Sequence, residues 1–149
     1  MMTEEQVTKA ILNRLIEGGW NIVAFDFPQS GSGRMLHPDG EVFEKNRGGI
    51  IPDIVAVKNS TCLFFENKDR VVVDDFLKIA LLINDNHYTR AISRLLEKYP
   101  TEKILYGIGF PAHKWNDRAA ANATTVDFIV GVTVGGNVEF LYNPWGIVL

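Results

Sequence analysis

Apolar positions near the start of the chain recur at helical spacing: Val7, Ile11 and Leu15 form one stripe, flanked by Ala10, Leu12 and Ile16. Thr3 followed by Gln6 has the form of a capping box, and Glu4 and Glu5 fall where the positive end of a helix dipole favours carboxylates. The pattern predicts a helix over 4–17, ended by Gly18-Gly19, which can supply a left-handed residue. The period then changes. Residues 20–27 are rich in aromatic and branched side chains and stop at Pro28, the signature of a strand. Residues 50–57 and 61–65 are two further β-rich runs, separated by the turn-like Lys58-Asn59-Ser60, and together they predict a hairpin. Asp74-Asp75 can cap a second helix carrying Phe76, Leu77, Ala80, Leu81 and Ile83. A third helix, over 86–99, carries Ala91, Ile92, Leu95 and Leu96 and is stopped by Pro100. Residues 103–110 read as a strand, and 126–134 with 137–142 read as a final hairpin around Gly135-Gly136.

The predicted order, α-β-loop-β-β-α-α-β-β-β, gives an α/β fold class: a mixed central β-sheet flanked by helices, with an added C-terminal β-hairpin. The loop over 28–49 carries Pro28, Gly31, Gly33, Pro38, Gly40, Gly48 and Gly49, too many breakers for a regular element, and loops of this length in small domains are usually functional or disordered. The 149 residues fit one domain, and 46% hydrophobic with 22% charged side chains is enough to bury a core. No apolar run approaches the roughly 20 residues of a membrane span, and the start lacks the basic-then-apolar order of a secretory signal, so the expected location is cytoplasmic, with no membrane partner. The lone cysteine, Cys62, excludes an internal disulfide and a zinc site built from several thiolates. Fifteen Lys plus Arg against eighteen Asp plus Glu give a net charge of −3, so contact with a polyanion needs a local basic surface.

The central hairpin carries the chemistry. Side chains alternate along a strand, so Glu66 and Lys68 share a face about 6.5 to 7 Å apart. With residue 58 facing 61 and 57 facing 62, the register brings Asp53 opposite Glu66. Directly opposed carboxylates, with Cβ atoms about 4.5 to 5.5 Å apart, repel and call for a positive partner. Lys68 is one such partner. A hard divalent cation fits better, because Mg²⁺ is typically held by one or two carboxylates and keeps waters for phosphate oxygens; the Asn67 carbonyl offers a further hard oxygen. A metal that polarises a phosphoryl oxygen, with the Lys68 ammonium offsetting developing negative charge, suits phosphodiester hydrolysis.

Pro52-Asp53 and Glu66-Asn67-Lys68 resemble the two halves of the motif of the PD-(D/E)XK, or restriction-endonuclease-like, nuclease superfamily, and the element order over 3–110 follows that superfamily's core. The resemblance implies a mixed four-stranded core sheet with the motif on a central hairpin and an acidic residue on the first helix. It implies Asp53 and Glu66 as metal ligands, Lys68 as the catalytic lysine, and Glu5, with Glu4 as second choice, as the helical acid. The function it implies is a Mg²⁺-dependent endonuclease acting on DNA, with Mn²⁺ able to substitute. A type II restriction endonuclease, or a catalytic subunit of one, is the first subclass; a structure-specific nuclease of the Holliday-junction-resolvase kind is the second. Outside enzymes stands a nucleic-acid-binding module with an idle site. Small size points to a homodimer or to a subunit of a larger nuclease assembly.

Other residues have two readings each. Gly31-Ser32-Gly33 lacks the third glycine and the strand-to-helix setting of a dinucleotide fingerprint. Arg34, His37, Lys45 and Arg47 can reach phosphates from the long loop, yet Asp39, Glu41 and Glu44 are interleaved, as in a merely solvated loop. His113 and Lys114 follow the strand over 103–110 and are candidate nucleic-acid contacts, while Trp115 reads as packing on the core edge. His87 reads as structural.

Overall fold

The capping box forms as the sequence predicts. Thr3 Oγ1 accepts from the Gln6 N–H at 3.1 Å and Gln6 Oε1 accepts from the Thr3 N–H at 2.8 Å, starting α1, Glu4–Glu17. In this computed structural model, which describes residues 1–26, 36, 51–85 and 88–149, Val7, Ile11, Leu12 and Leu15 form the buried stripe of that helix. Gly18 stays right-handed, and Gly19, at φ 83°, is the left-handed residue that turns the chain out.

Next comes β1, Asn21–Phe25; the loop expected over 28–49 lies, but for residue 36, outside the described residues, and the hairpin of β2, Ile54–Lys58, and β3, Thr61–Asn67, follows it in the chain. Asn59 and Ser60, at φ 49° and 65°, make the two-residue turn whose twist matches the flanking strands. Its register is the predicted one, from Lys58 opposite Thr61 to Ile54 opposite Phe65. Then α2, Val73–Asp85, and α3, Thr89–Leu95, lead to β4, Lys103–Pro111. The Asp74-Asp75 cap is a correction: α2 begins at Val73, so both acids lie inside its first turn. A 3-10 turn, Ala112–Lys114, then α4, Asp117–Asn122, and a second 3-10 turn, Ala123–Thr125, connect to β5, Phe128–Val132, and β6, Val138–Tyr142.

Helix α4 is absent from the sequence-based order. It is only six residues long and alanine-rich, so no apolar period marks it. Its one signal is the N-cap: the Asn116 side chain accepts from the Ala119 N–H at 2.8 Å. Topology demands such a crossover, because β4 and β5 are parallel and no tight turn can join parallel neighbours.

The six strands stand in chain order, β1 to β6. The first three are antiparallel, β3, β4 and β5 are parallel, and β6 returns antiparallel. A mixed sheet flanked by helices with a C-terminal hairpin is therefore the fold. Helix α1 covers the face bearing Ile54, Leu63, Phe65, Leu105, Phe128 and Val130. The opposite face, with Val55, Cys62, Phe64, Tyr106, Ile108 and Phe110, carries Phe76, Ile79 and Leu82 of α2, Ile92 of α3 and Ala119 of α4. Burial on both faces explains the near-continuous apolar runs of β3 and β5. No helix among the described residues is long and apolar enough to cross a membrane.

Candidate active site

Because β3 and β4 run parallel, with Asn67 beside Gly109, their carboxyl ends lie at one pole of the sheet, where ligands of α/β proteins typically bind. Asp53 precedes β2 at this pole and is clamped through its backbone. Its N–H donates to Phe65 O at 3.0 Å, and its carbonyl accepts from the Asp26 N–H at 2.8 Å. The Asn67 N–H donates to Asp53 Oδ2 at 2.7 Å, which fixes the side chain as well. Glu66, only 7% exposed, projects from the same face as Phe64, toward α2.

Two ammoniums converge on one oxygen, Glu66 Oε1: Lys78 Nζ of α2 at 3.5 Å and Lys68 Nζ at 4.0 Å. Lys68 Nζ also lies 3.4 Å from Glu4 Oε1, so the start of α1 closes the cluster from the other side. Asp75, in the first turn of α2, is 6% exposed, and its Oδ2 has no hydrogen-bond partner among the described residues. Four carboxyl groups thus face two ammoniums.

The electrostatics follow. Burial, then repulsion from Glu66, pushes the Asp53 carboxyl up to about 8, against the pull of the Asn67 N–H. Burial also raises Glu66, with Asp75 adding to it and Lys78 and Lys68 opposing. Burial lowers Lys68, but Asp75, Glu4 and Glu66 outweigh it, and the net direction is upward. Burial lifts Asp75 against Lys68 and Lys78. Such a set of hard, crowded oxygens stores unfavourable energy that a cation relieves, and Asp53 and Glu66 are the pair that fit one. Among the described residues no group of three or more His, Cys, Asp or Glu side chains could hold a metal ion, so a cation here would rely on two carboxylates and on oxygens from solvent or substrate.

The predicted site residues divide. Asp53, Glu66 and Lys68 come together as the register requires. Glu5 does not join them; it pairs with Lys9 at 3.4 Å on the exposed side of α1, and Glu4 takes the inner position. Successive helical residues point about 100° apart, so only one of the two acids can face the site. Asn67 takes part through its N–H, while its fully buried side chain turns to the α1 face and donates from Nδ2 to Thr8 Oγ1 at 3.2 Å. Gly109 makes the room: a Cβ there would sit 2.5 Å from Asn67 Oδ1. His113, exposed, and Lys114 follow β4 at the same pole, and Trp115 stacks on Phe110 with ring centres 6.4 Å apart, as a core-edge residue. Arg34, Lys45 and Arg47, with His37 and His87, lie outside the described residues. Sequence reading missed Asp75 and Lys78. Their i, i+3 spacing sets both beside the buried Phe76, Ile79 and Leu82, Asp75 buried and Lys78 half-exposed, but that follows only once those apolar residues are known to face the sheet.

No protein-family model matches the chain, and no curated protein does. Among solved structures it is similar to an XisH family protein from Nostoc punctiforme PCC 73102, with 13% identity and a TM-score of 0.47 over 91% of this chain and 98% of the other. The reading of the site therefore rests on its own geometry.

Proposed function

We propose that this protein is a divalent-cation-dependent nuclease of the PD-(D/E)XK kind that hydrolyses DNA phosphodiester bonds, with one active site per chain. One observation carries the reading: Asp53 and Glu66 meet at the carboxyl ends of the parallel strands, with Lys68 tethered between Glu66 and Glu4. Asp53 and Glu66 would hold Mg²⁺, or Mn²⁺ in its place. When bound, such an ion polarises a phosphoryl oxygen and lowers the pKa of a water.

The chain's own groups do the rest. The Asn67 N–H holds Asp53 in one rotamer, so no ordering cost falls on cation binding. Lys68, oriented by Glu4, presents an ammonium to the negative charge that develops on the phosphoryl oxygens, a stabilisation stronger in the transition state than in the bound substrate. His113 and Lys114, in the turn that follows β4, would meet the nucleic-acid backbone. A homodimer would place two such sites on two strands, and a larger assembly could supply sequence reading from another subunit.

The test is incubation with plasmid, linear duplex, single-stranded and four-way-junction DNA in Mg²⁺ and in Mn²⁺. Discrete fragments identify a restriction endonuclease, and cutting confined to the junction identifies a resolvase. No cutting of any substrate in either ion refutes the nuclease reading and leaves a binding module.

A further inference from the structure

The two ammoniums on Glu66 are held differently. Lys68 Nζ is shared between Glu4 and Glu66, and its side chain is 31% exposed. Lys78 Nζ has Glu66 Oε1 at 3.5 Å and a side chain 44% exposed on the outer part of α2. One lysine is tethered by two acids on two elements; the other leans on one oxygen. That oxygen belongs to the carboxylate best placed, with Asp53, to take a divalent cation. A divalent ion arriving at that oxygen repels both ammoniums, and the one held by a single acid is the one that gives way.

We propose that Lys78 is a displaceable counter-ion: it neutralises Glu66 in the cation-free protein, yields that position to the divalent cation, and then contacts a phosphate of the nucleic acid. The inference rests on the nuclease reading above and extends it to a residue on α2. Lys78 is half-exposed, so on leaving Glu66 its ammonium returns to water, while the arriving cation takes over the charge of the nearly buried carboxylate. Lysine's four-carbon stem lets the head swing away while its helix stays packed through Phe76, Ile79 and Leu82. Lys68 keeps its place, held by Glu4. The two lysines thus divide the work, with one fixed beside the reacting phosphate and one exchanging a carboxylate partner for a phosphate partner. Exchange also explains why a half-exposed lysine points at a nearly buried glutamate when solvent is available to it.

Calorimetric titration of Mn²⁺ into wild type, Lys78→Met, Lys78→Arg and Glu66→Ala tests the first half. Methionine keeps the helix propensity of the position, and circular dichroism verifies folding. Removing the competing charge is expected to tighten Mn²⁺ binding roughly threefold to tenfold in Lys78→Met, with Lys78→Arg close to wild type. Unchanged or weaker Mn²⁺ binding in folded Lys78→Met overturns the inference. Failure of wild type to bind Mn²⁺, or undiminished binding by Glu66→Ala, overturns the nuclease reading itself. For the second half, binding of a labelled DNA duplex is followed against salt, in Ca²⁺ and in chelator. Lys78→Met should lose about 0.9 of the slope of log affinity on log salt in Ca²⁺ only, since without the cation Lys78 is already engaged by Glu66. Equal slopes for wild type and Lys78→Met in Ca²⁺ overturn the phosphate contact.

Discussion

Replacing Asp53 by asparagine should stabilise this protein, and more so as pH rises. In the unfolded chain the carboxyl ionises near 3.8, whereas burial and the neighbouring Glu66 push it up to about 8 in the fold. Between those values the native state holds a proton that the unfolded state has released. The stability this group contributes is therefore complete below about pH 3.8 and is lost as pH rises through about 8. The full span corresponds to about 6 kcal/mol. Asp53 is only partly buried, and solvent screening halves that to about 3 kcal/mol at pH 8.5. The amide oxygen introduced by Asp53→Asn would still accept the Asn67 N–H, so the substitution removes the charge and keeps the bond. Glu66 remains in both proteins, so the comparison isolates the charge at position 53. Urea unfolding of wild type and Asp53→Asn at pH 5.5 and 8.5, in chelator, measures the effect. The variant should lead by about 3 kcal/mol at the higher pH and by about half as much at the lower. Adding Mg²⁺ should narrow the gap by stabilising wild type alone. A variant equal to or less stable than wild type at pH 8.5 in chelator would refute the electrostatic account of this site.

Two further outcomes follow from the same geometry. Glu4→Gln should lower the single-turnover cleavage rate about tenfold by releasing Lys68, while Glu5→Gln, which breaks only an exposed pair with Lys9, should leave it unchanged; equal effects would reverse the assignment of the helical acid. Lys68→Met should cut the rate about 100- to 1,000-fold without weakening Mn²⁺ affinity measured by calorimetry, whereas loss of rate and affinity together would make Lys68 part of the cation site.

Much of this was legible in the sequence because strand and helix periods leave distinct marks. The capping box at Thr3 and Gln6 locates the start of α1, and the Asn59-Ser60 turn sets the register that brings Asp53 to Glu66. Two features were hidden for physical reasons. Helix α4 is too short and too uniformly small to show a period, so only the rule against tight turns between parallel strands demands it. Glu4 and Glu5 are equivalent in composition, and the choice between them depends on the rotation of α1 about its axis, which is set by how Val7, Ile11 and Leu15 seat on the sheet. The α2 contribution is tertiary in the same sense. Asp75 and Lys78 reach Glu66 only because the crossover lays α2 on the face opposite α1.

The central claim is that Asp53 and Glu66 together support cation-dependent cleavage of nucleic acid. Its most direct test is single-turnover cleavage of the DNA panel by wild type, Asp53→Ala and Glu66→Ala, in Mg²⁺ and in chelator, with circular dichroism on each protein. The account predicts that wild type cuts in Mg²⁺ and stops in chelator, and that both variants fold but do not cut. Wild-type-like cleavage by either folded variant, or undiminished cutting in chelator, would contradict it.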